Sequence, residues 1–195
     1  MVLLQDPALQ TRFISVQDYH RMIEAEIFGP EERIELLLGQ LIPMAAKGSP
    51  HSAAVARARD LFDDQLTRQQ AQIRLQEPVI LQDHSEPEPD LALVKPDPNY
   101  YEAQHPQASD VFLIMEVADS SLTYDREIKS LAYAKAGIQD YWVLNLKGRK
   151  LHIYRNPSES GYGSELILAA GERIMPLAFG DCAIAVLAML GQASD

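Results

Sequence analysis

Two carboxylates and one lysine between residues 86 and 142 have the chemistry that metal-assisted phosphodiester hydrolysis requires. Asp90 closes an acidic Glu-Pro-Glu-Pro-Asp segment, Glu116 ends an apolar run, and Lys129 follows on a predicted helix. A hard divalent cation such as Mg2+ prefers oxygen ligands, usually one or two carboxylates with backbone oxygens and waters. Such a cation polarises a phosphoryl oxygen and lowers the pKa of a bound water, which an ammonium group can orient. We therefore expect Asp90, Glu116 and the backbone carbonyl of Val117 to hold Mg2+ or Mn2+, with Lys129 beside them.

Each of these side chains also has a structural explanation. Asp90 follows a proline and can end a loop or cap a turn. Glu116 resists burial unless it is paired, protonated or metal-bound, so an ion pair with Lys129 is the structural alternative. Asp125 lies four residues before Lys129, which predicts an i,i+4 helix pair or an N-cap and no catalytic role.

Other polar and aromatic residues are candidates for the same site. Glu35 stands between two apolar residues, and strand alternation alone places it on a solvated face. His51 opens a predicted helix, where it can orient a water or contact phosphate, or serve as a cap or a surface residue. A helix-to-strand junction favours core packing over base stacking for three aromatic residues, Tyr133, Tyr141 and Trp142.

Length and composition indicate one globular domain. The chain has 195 residues, of which 47% are hydrophobic and 23% charged, as in a domain that buries roughly 70% of its unfolded surface. Residues 1–10 lack a basic stretch followed by a long apolar core, and the longest apolar run, 182–190, is far shorter than the ~20 residues that span a bilayer. These features predict a soluble, cytoplasmic protein with no membrane segment. The single cysteine, Cys182, has apolar neighbours and is expected in the core.

The net charge argues against tight nonspecific binding to nucleic acid. The chain carries 28 acidic and 17 basic residues, a formal charge of -11, whereas affinity for DNA comes largely from cations that neutralise phosphates. A local basic patch would remove this objection, and the alternative is scattered solvated charges. The residues that could form such a patch are Arg57, Arg59, Lys129, Lys135, Lys147, Arg149 and Lys150.

Hydrophobic periodicity and turn residues predict the order of helices and strands in the first part of the chain. The predicted elements are a helix at 15–26, a hairpin of strands 33–38 and 41–44 around Gly39-Gln40, a long helix from His51 or Ser52 to about Gln70, and strands at 73–81, 91–94 and 110–117. The near-continuous apolar character of the last strand predicts cover on both faces.

The same signals predict the remainder of the chain. It has a helix from about Asp125 to Lys135 that stops at Gly137, a hairpin of strands 140–146 and 150–155, a hairpin turn at 161–164, one or two short strands and a final helix near 181–190. No repeat or low-complexity linker divides the chain, so we expect a single domain, 1–195, with its core at about 10–190. The order of elements predicts an α/β fold with a mixed central β-sheet flanked by helices.

Several of these segments together resemble one known family. The resemblance rests on Pro89-Asp90, on Glu116-Val117 at a strand end, on Asp125 with Lys129, on residues 133–142, and on Arg33-Ile34-Glu35-Leu36 with Gly39 and His51. The combination resembles the bacterial putative restriction endonuclease family, first catalogued as a domain of unknown function, within the PD-(D/E)XK nuclease superfamily. It covers about residues 10–190 and implies a restriction-endonuclease-like sheet with an added N-terminal helix and β-hairpin.

The resemblance implies a two-carboxylate site with one departure. In the superfamily, an aspartate after proline and a Glu-x-Lys tripeptide on the next strand bind metal and orient the attacking water. Here Ala118 stands two positions after Glu116, so the resemblance implies that Lys129, on the following helix, has taken over the role of the missing lysine. A helix packed on the sheet can bring its own lysine to the face that residues 116 and 118 share. The resemblance also implies Glu35 as a third carboxylate and includes His51.

The expected function is that of a metal-dependent endonuclease that hydrolyses phosphodiester bonds in DNA. Nucleic acid is then the partner, and a homodimer would provide two sites for two strands. One alternative is a noncatalytic binding or regulatory protein that retains the fold, which the net charge and the missing Glu-x-Lys favour. Another is a metal-dependent hydrolase of small phosphoesters, which suits the negative charge better. No target-recognition domain is visible, so sequence specificity is unsupported.

Overall fold

The computed structural model describes residues 12–192, and the stretches 1–11 and 193–195 lie outside the described residues. The helices are α1 (Val16–Glu24), α2 (Ser49–Asp63), α3 (Leu122–Tyr124), α4 (Ser130–Lys135) and α5 (Val186–Leu190), with a π-helical turn, Asp125–Lys129, between α3 and α4. The strands are β1 (Ile34–Leu37), β2 (Gln40–Pro43), β3 (Gln72–Arg74), β4 (Leu91–Val94), β5 (Val111–Ala118), β6 (Asp140–Asn145), β7 (Lys150–Ser158), β8 (Gly161–Ala169), β9 (Arg173–Ile174) and β10 (Ile184–Ala185).

A six-stranded mixed sheet forms the centre, in the order β3-β4-β5-β6-β7-β8. β5 and β6 are parallel, and the other neighbouring strands are antiparallel. A parallel pair needs a crossover connection, which α3, the π-helical turn and α4 provide. This topology confirms the predicted mixed sheet flanked by helices. No helix within residues 12–192 has the length and apolar character to cross a bilayer.

Alternate side chains of the central strands face two separate apolar layers. In one layer, Trp142 of β6 packs against Phe62 of α2, with ring centroids 6.1 Å apart. In the other, Tyr141 packs against Tyr133 of α4 at 4.8 Å. All four rings are fully buried, as core packing of the aromatic residues predicted. Cys182 is also buried in the first layer, as predicted.

β1 and β2 form a two-stranded sheet that is joined to α1. The Ser15 hydroxyl accepts a hydrogen bond at 3.0 Å from the Asp18 backbone N–H and caps α1, at the position where the helix is predicted to start. Leu38 and Gly39 have positive φ angles of 50° and 76°, as a two-residue type I′ turn requires. The predicted hairpin is therefore confirmed, with its turn one residue earlier. The Tyr19 hydroxyl donates to the Ile34 carbonyl at 2.6 Å and joins α1 to β1.

The predicted stop of α4 and the β6-β7 hairpin are also confirmed. Gly137 has a φ of 79°, its N–H bonds to the Ala134 carbonyl at 2.9 Å, and the Ile138 N–H bonds to the Tyr133 carbonyl at 3.0 Å. This is a Schellman motif, for which glycine is the preferred residue. β6 and β7 then pair antiparallel along the full length of β6.

α2 differs from its prediction at both ends. It begins at Ser49, because Gly48 is the N-cap and a proline suits the first turn. It ends at Asp63 and does not reach Gln70. Asp60 and Asp63 lie near its C-terminal end, where negative charge opposes the helix dipole, and the last turn contains no basic residue.

The predicted strand 73–81 is confined to β3. Gln76 has a φ of 55°, and the following proline at position 78 cannot donate to a ladder. The backbone beyond β3 bonds instead to the acidic Glu-Pro-Glu-Pro segment, with the Gln76 N–H on the Pro89 carbonyl and the Val79 N–H on the Pro87 carbonyl, both at 3.0 Å. This irregular pairing fixes the segment that leads into Asp90.

Near the C-terminal end one prediction is wrong, and the predicted final helix is present but shorter than expected. Residues 161–164, predicted as a turn, begin β8, and the turn is Glu159-Ser160 because Gly161 already pairs with the last residue of β7. The final helix starts only at Val186, because the two residues before it pair with β9 as β10. The tail therefore contributes three strands, one of them nine residues long.

Candidate active site

All the side chains predicted for a site line one cavity of about 400 Å³. The acids buried there are Glu35, Asp90, Glu116 and Asp125, and the bases are Lys47, His51 and Lys129. They come from β1, the residue before β4, β5, the π-helical turn, the β2-α2 loop and α2. The fold thus brings together five side chains proposed from the sequence as catalytic, whose roles stay predictions.

Asp90 lies immediately before β4 and is held by β5 and α2. Its Oδ2 accepts a hydrogen bond from the Val117 N–H at 2.9 Å and lies 2.9 Å from His51 Nε2. Its Oδ1 is 3.5 Å from the Lys47 ammonium. Burial alone would raise the pKa of Asp90, but these three neighbours, His51 foremost, outweigh burial and hold the pKa below its ordinary value. Asp90 is an ionised, oriented carboxylate whose partners belong to the cavity.

Glu116 is buried on β5, and both of its carboxylate oxygens accept hydrogen bonds. Its Oε2 accepts from the Asp90 N–H at 3.3 Å. Its Oε1 accepts from Lys129 Nζ at 2.9 Å and from the Tyr133 hydroxyl at 2.8 Å. Burial raises the pKa of Glu116 to about 8, which Lys129 opposes and the neighbouring acids reinforce. The ion pair expected as a structural alternative is present, but it lies among further acids.

The helical crossover brings Lys129 beside the carboxylates of Glu116 and Glu35. The crossover begins at α3, earlier than the predicted start at Asp125, and contains a π-helical turn in which the Ser130 N–H bonds to the Asp125 carbonyl. Lys129 Nζ lies 2.9 Å from Glu116 Oε1 and 3.2 Å from Glu35 Oε2. Burial would lower the pKa of Lys129, but these carboxylates hold it well above its ordinary value, so the ammonium is charged.

Glu35 faces the cavity and not solvent. All four residues of β1 are buried, because the acidic segment lies along the strand with the Glu86 N–H on the Leu36 carbonyl at 2.8 Å. Glu35 Oε2 accepts from the Glu88 N–H and Oε1 accepts from the Tyr124 hydroxyl, both at 3.2 Å. Strand alternation placed Glu35 on a solvated face, whereas the family resemblance placed it near the other carboxylates. The structure shows the second position.

His51 lies in the first turn of α2 with its ring buried against Asp90. Gly48 is the N-cap of that helix, so His51 is neither a cap nor a surface residue. Its second ring nitrogen, Nδ1, has no hydrogen-bond partner within residues 12–192. The described contact of the His51 ring with Asp90 is therefore made through Nε2.

Asp125 has a different partner from the one predicted. It lies inside the helical crossover, so it is not an N-cap, and its Oδ2 accepts from the Ser121 hydroxyl. In a π-helical turn the hydrogen bond joins residues i and i+5, so the i,i+4 alignment with Lys129 is lost. Burial raises the pKa of Asp125 to about 6 against the influence of Lys129.

Sequence analysis missed three contacts in the cavity, those of Lys47, Tyr124 and Tyr133. Tyr133 was expected only to pack in the core, yet its hydroxyl bonds Glu116. Its position four residues after Lys129 is a signal that both side chains share one helix face. The sequence pattern around Lys47 and Tyr124 does not indicate which way their side chains point, because their contacts depend on the tertiary fold.

The donor atoms suit a hard divalent cation. Asp90 and Glu116 offer carboxylate oxygens from neighbouring strands, and the cavity lining contains more acids than bases. A divalent cation would offset this excess of negative charge. Within residues 12–192, no three His, Cys, Asp or Glu side chains form a metal cluster by themselves. A metal here would depend on two carboxylates, the Val117 carbonyl and waters, the set expected from the sequence.

Two of the seven basic residues considered for a nucleic-acid patch form ion pairs at the surface: Arg59 pairs with Asp60 and Asp63, and the Lys147 ammonium lies 3.8 Å from Asp119. Three are engaged inside the fold. Lys129 pairs with acids in the cavity. Two more bind carbonyls at the end of α5: Arg57 donates to Met189 and Leu190, and Arg149 donates to Gly191. The patch of seven residues is therefore not formed.

The mixed sheet, with paired carboxylates beside a buried lysine, defines a restriction-endonuclease-like α/β protein. A solved structure from Anabaena variabilis ATCC 29413, described as "a putative nuclease belonging to DUF820", has the same fold, with a TM-score of 0.70. The two sequences are 15% identical, and the match covers 91% of this chain and 97% of that chain. At this identity the likeness shows the fold alone.

The chain belongs to the Uma2 family, described as "Putative restriction endonuclease", whose model matches residues 16–187. This confirms the family resemblance. No curated protein matches the sequence. The family description indicates a nuclease and therefore a protein that binds nucleic acid, and nucleases of this kind generally use divalent metals.

Proposed function

We propose that the chain is a Mg2+-dependent or Mn2+-dependent endonuclease that hydrolyses phosphodiester bonds in DNA. One observation carries the proposal: Asp90, Glu116 and Lys129 are distant in sequence but meet in one buried cavity. Burying carboxylates costs free energy unless each is compensated, and a structural ion pair needs only one acid for one lysine. The concentration of several acids around Lys129 supports a site that is completed by a cation.

Asp90, Glu116 and the Val117 carbonyl would hold the metal. When bound, such an ion polarises a phosphoryl oxygen and makes a water acidic enough to act as the nucleophile. His51 and the Val117 N–H fix Asp90 through Oδ2, while Tyr133 and Lys129 fix Glu116 through Oε1. Asp90 Oδ1 and Glu116 Oε2 are the less saturated oxygens of the pair.

Lys129 positions the attacking water in this proposal. An ammonium has three N–H donors, and the described contacts of Lys129 with Glu116 and Glu35 account for two of them. The third donates to the water and orients it toward phosphorus. Glu35 keeps the ammonium in place, and the Tyr124 hydroxyl in turn holds Glu35. We further propose that the chain forms a single domain and acts as a homodimer, which would provide two sites for two strands.

A second candidate is a metal-dependent hydrolase of small phosphoesters. The formal charge of -11 and the internal use of three basic residues, Arg57, Arg149 and Lys129, favour a substrate with fewer phosphates. The same carboxylates and lysine would serve it. Competition by nucleotides against DNA separates the two candidates.

The nuclease proposal is tested by nicking of supercoiled plasmid with Mg2+ or Mn2+. Glu116→Ala and Lys129→Ala are compared with wild type and with Glu127→Ala, an exposed acid on the same helical crossover. We expect metal-dependent nicking by wild type and Glu127→Ala and none by the two cavity variants.

The alternatives give different results in the same assay. Metal binding without DNA cleavage above the background of the variants would favour the small-substrate hydrolase or a noncatalytic binding protein. Absence of both metal binding and cleavage would contradict the catalytic proposal altogether.

A further inference from the structure

Lys47, in the loop between β2 and α2, has a buried ammonium with no hydrogen-bond partner among residues 12–192. Its Nζ lies 3.5 Å from Asp90 Oδ1, which is ion-pair distance without hydrogen-bond geometry. The three donors of an ammonium are costly to leave unused in a buried position. This cost is relieved when an anionic ligand enters the cavity and accepts from them.

The other lysine of the cavity is already engaged. Lys129 contacts Glu116 at 2.9 Å and Glu35 at 3.2 Å, so two carboxylates compensate its single charge. His51 is also committed to Asp90. Of the basic side chains in the cavity lining, Lys47 is the one with charge left for a substrate anion.

Lys47 also lies beside the Asp90 oxygen that a metal would use. Asp90 Oδ2 is occupied by the Val117 N–H and His51, whereas the neighbours of Oδ1 among residues 12–192 are Lys47 and Gln76, each at 3.5 Å. An ammonium and a divalent cation repel each other at such short range. The two therefore compete for Oδ1.

We propose that Lys47 leaves Asp90 when the metal binds and takes up a phosphate oxygen of the substrate. This inference rests on the proposed nuclease function and assigns the phosphate contact to a residue outside the family motif. Lys47 lies on a loop and has a flexible four-carbon stem, so its head can turn within the cavity. The same ammonium thus compensates Asp90 in the free protein and the phosphate in the complex.

Lys47→Met tests the inference through two binding measurements that require no cleavage. The first is Mn2+ binding by titration calorimetry without DNA. We expect about fivefold tighter binding by Lys47→Met, because a competing cation is removed from Asp90. The second is the affinity for a fluorescent DNA duplex in Ca2+, measured by anisotropy. We expect roughly tenfold weaker binding, as for loss of one hydrogen bond to a charged group.

Lys147→Met is the matched control. Its side chain is 73% exposed, against 17% for Lys47, and its ammonium lies 3.8 Å from Asp119, another residue of the cavity lining. Lys147→Met removes the same charge close to the cavity, but from a position that solvent screens. We therefore expect the affinities for Mn2+ and for DNA to stay within about twofold of wild type. Lys47→Gln provides a second variant if Lys47→Met does not fold, with the same expected results.

The outcomes separate this inference from the nuclease proposal. If wild type binds metal and cleaves DNA but the Lys47 variants match it in both affinities, the Lys47 inference alone is wrong. It is also wrong if metal binding weakens together with DNA binding, because Lys47 would then only support the fold of the site. If wild type neither binds metal nor cleaves DNA, both proposals fail together.

Discussion

Glu116 on β5 and Asp140 at the start of β6 are both buried carboxylates on neighbouring parallel strands, but their surroundings differ. Asp140 accepts from fixed donors at both oxygens: the Trp142 indole N–H at 2.9 Å, the Arg155 guanidinium at 2.9 and 3.3 Å, and the Leu177 N–H at 2.8 Å. It joins two strands to the C-terminal tail. No other acid shares its partners in the part of the chain described.

Glu116 has one ammonium, one hydroxyl and one long backbone contact as donors, and other acids stand close by. Burial, reinforced by these acids, raises the pKa of Glu116 to about 8. The comparison shows that burial alone does not mark a functional acid. A carboxylate saturated by fixed donors stabilises the fold, whereas a carboxylate placed among other acids is suited to bind a cation.

Glu116→Gln should show the largest effect on activity in this comparison. The variant keeps the shape of the side chain but removes the charge that would hold a metal. We expect nicking to fall about a thousandfold, the size of loss seen when a preorganised transition-state contact is removed, with little change in melting temperature. Asp140→Asn is the control and should retain nicking at a temperature where it is folded. Retained cleavage by Glu116→Gln would contradict its proposed role.

Asp140→Asn should have the largest effect on stability. The change weakens a buried, hydrogen-bonded ion pair with Arg155, and breaking such a pair costs about 3 kcal/mol of unfolding free energy. Urea denaturation of wild type, Asp140→Asn and Glu116→Gln measures the difference. If Asp140→Asn lost less unfolding free energy than Glu116→Gln, Glu116 would be the residue that stabilises the fold and Asp140 would not.

Tyr133→Phe should weaken metal binding by about tenfold, because second-sphere hydrogen bonds orient metal-binding carboxylates. Tyr141→Phe is a matched control, since its hydroxyl donates to the Asp125 carbonyl at 2.9 Å and its ring packs on Tyr133. Each variant should lose about 1 kcal/mol of unfolding free energy. Calorimetric Mn2+ titration distinguishes them, and equal metal affinities would mean that Tyr133 only packs in the core.

The pH dependence of stability should show a smaller effect. The pKa of Glu116 is raised from 4.5 to about 8, so the folded protein retains a proton that the unfolded chain releases. This contribution is fully present below pH 4.5 and is lost as the pH rises through 8. Asp125, with its pKa raised to about 6, acts in the same direction at lower pH. Asp90, with a lowered pKa, acts oppositely and loses stabilisation in acid.

Thermal melts of the metal-free protein from about pH 5 to pH 9 measure this dependence. The stability of wild type relative to Glu116→Gln should fall by about 4 kcal/mol over this range. Parallel pH profiles for the two proteins would show that the pKa of Glu116 is not raised by folding.

The parts of the fold that local chemistry determines could be predicted from the sequence. Ser15 and Gly137 mark helix ends through their own backbone contacts, and the apolar run of β5 identifies a strand covered on both faces. Glu116 could be found because an acid interrupts that run. Lys129 followed from the family resemblance, which required a lysine to replace the one missing at position 118.

The rest depends on contacts between distant segments. Glu35 is buried because the acidic segment, about fifty residues later, lies along β1. Lys47 meets Asp90 only through the packing of a loop on the sheet. Asp125 pairs with Ser121 and is out of i,i+4 alignment with Lys129 because a π-helical turn separates them, which periodicity based on 3.6 residues per turn does not reveal.

That turn makes the site depend on chain length as well as on side-chain identity. The π-helical turn contains one residue more than an α-helical turn, which rotates the following residues of the helix by about 100°. Lys129 and Tyr133 reach Glu116 from this rotated portion. Related chains could therefore keep every acid and lysine and still lose the arrangement through a single deletion between residues 125 and 128. Alignment gaps in this crossover would carry functional information that residue conservation alone does not.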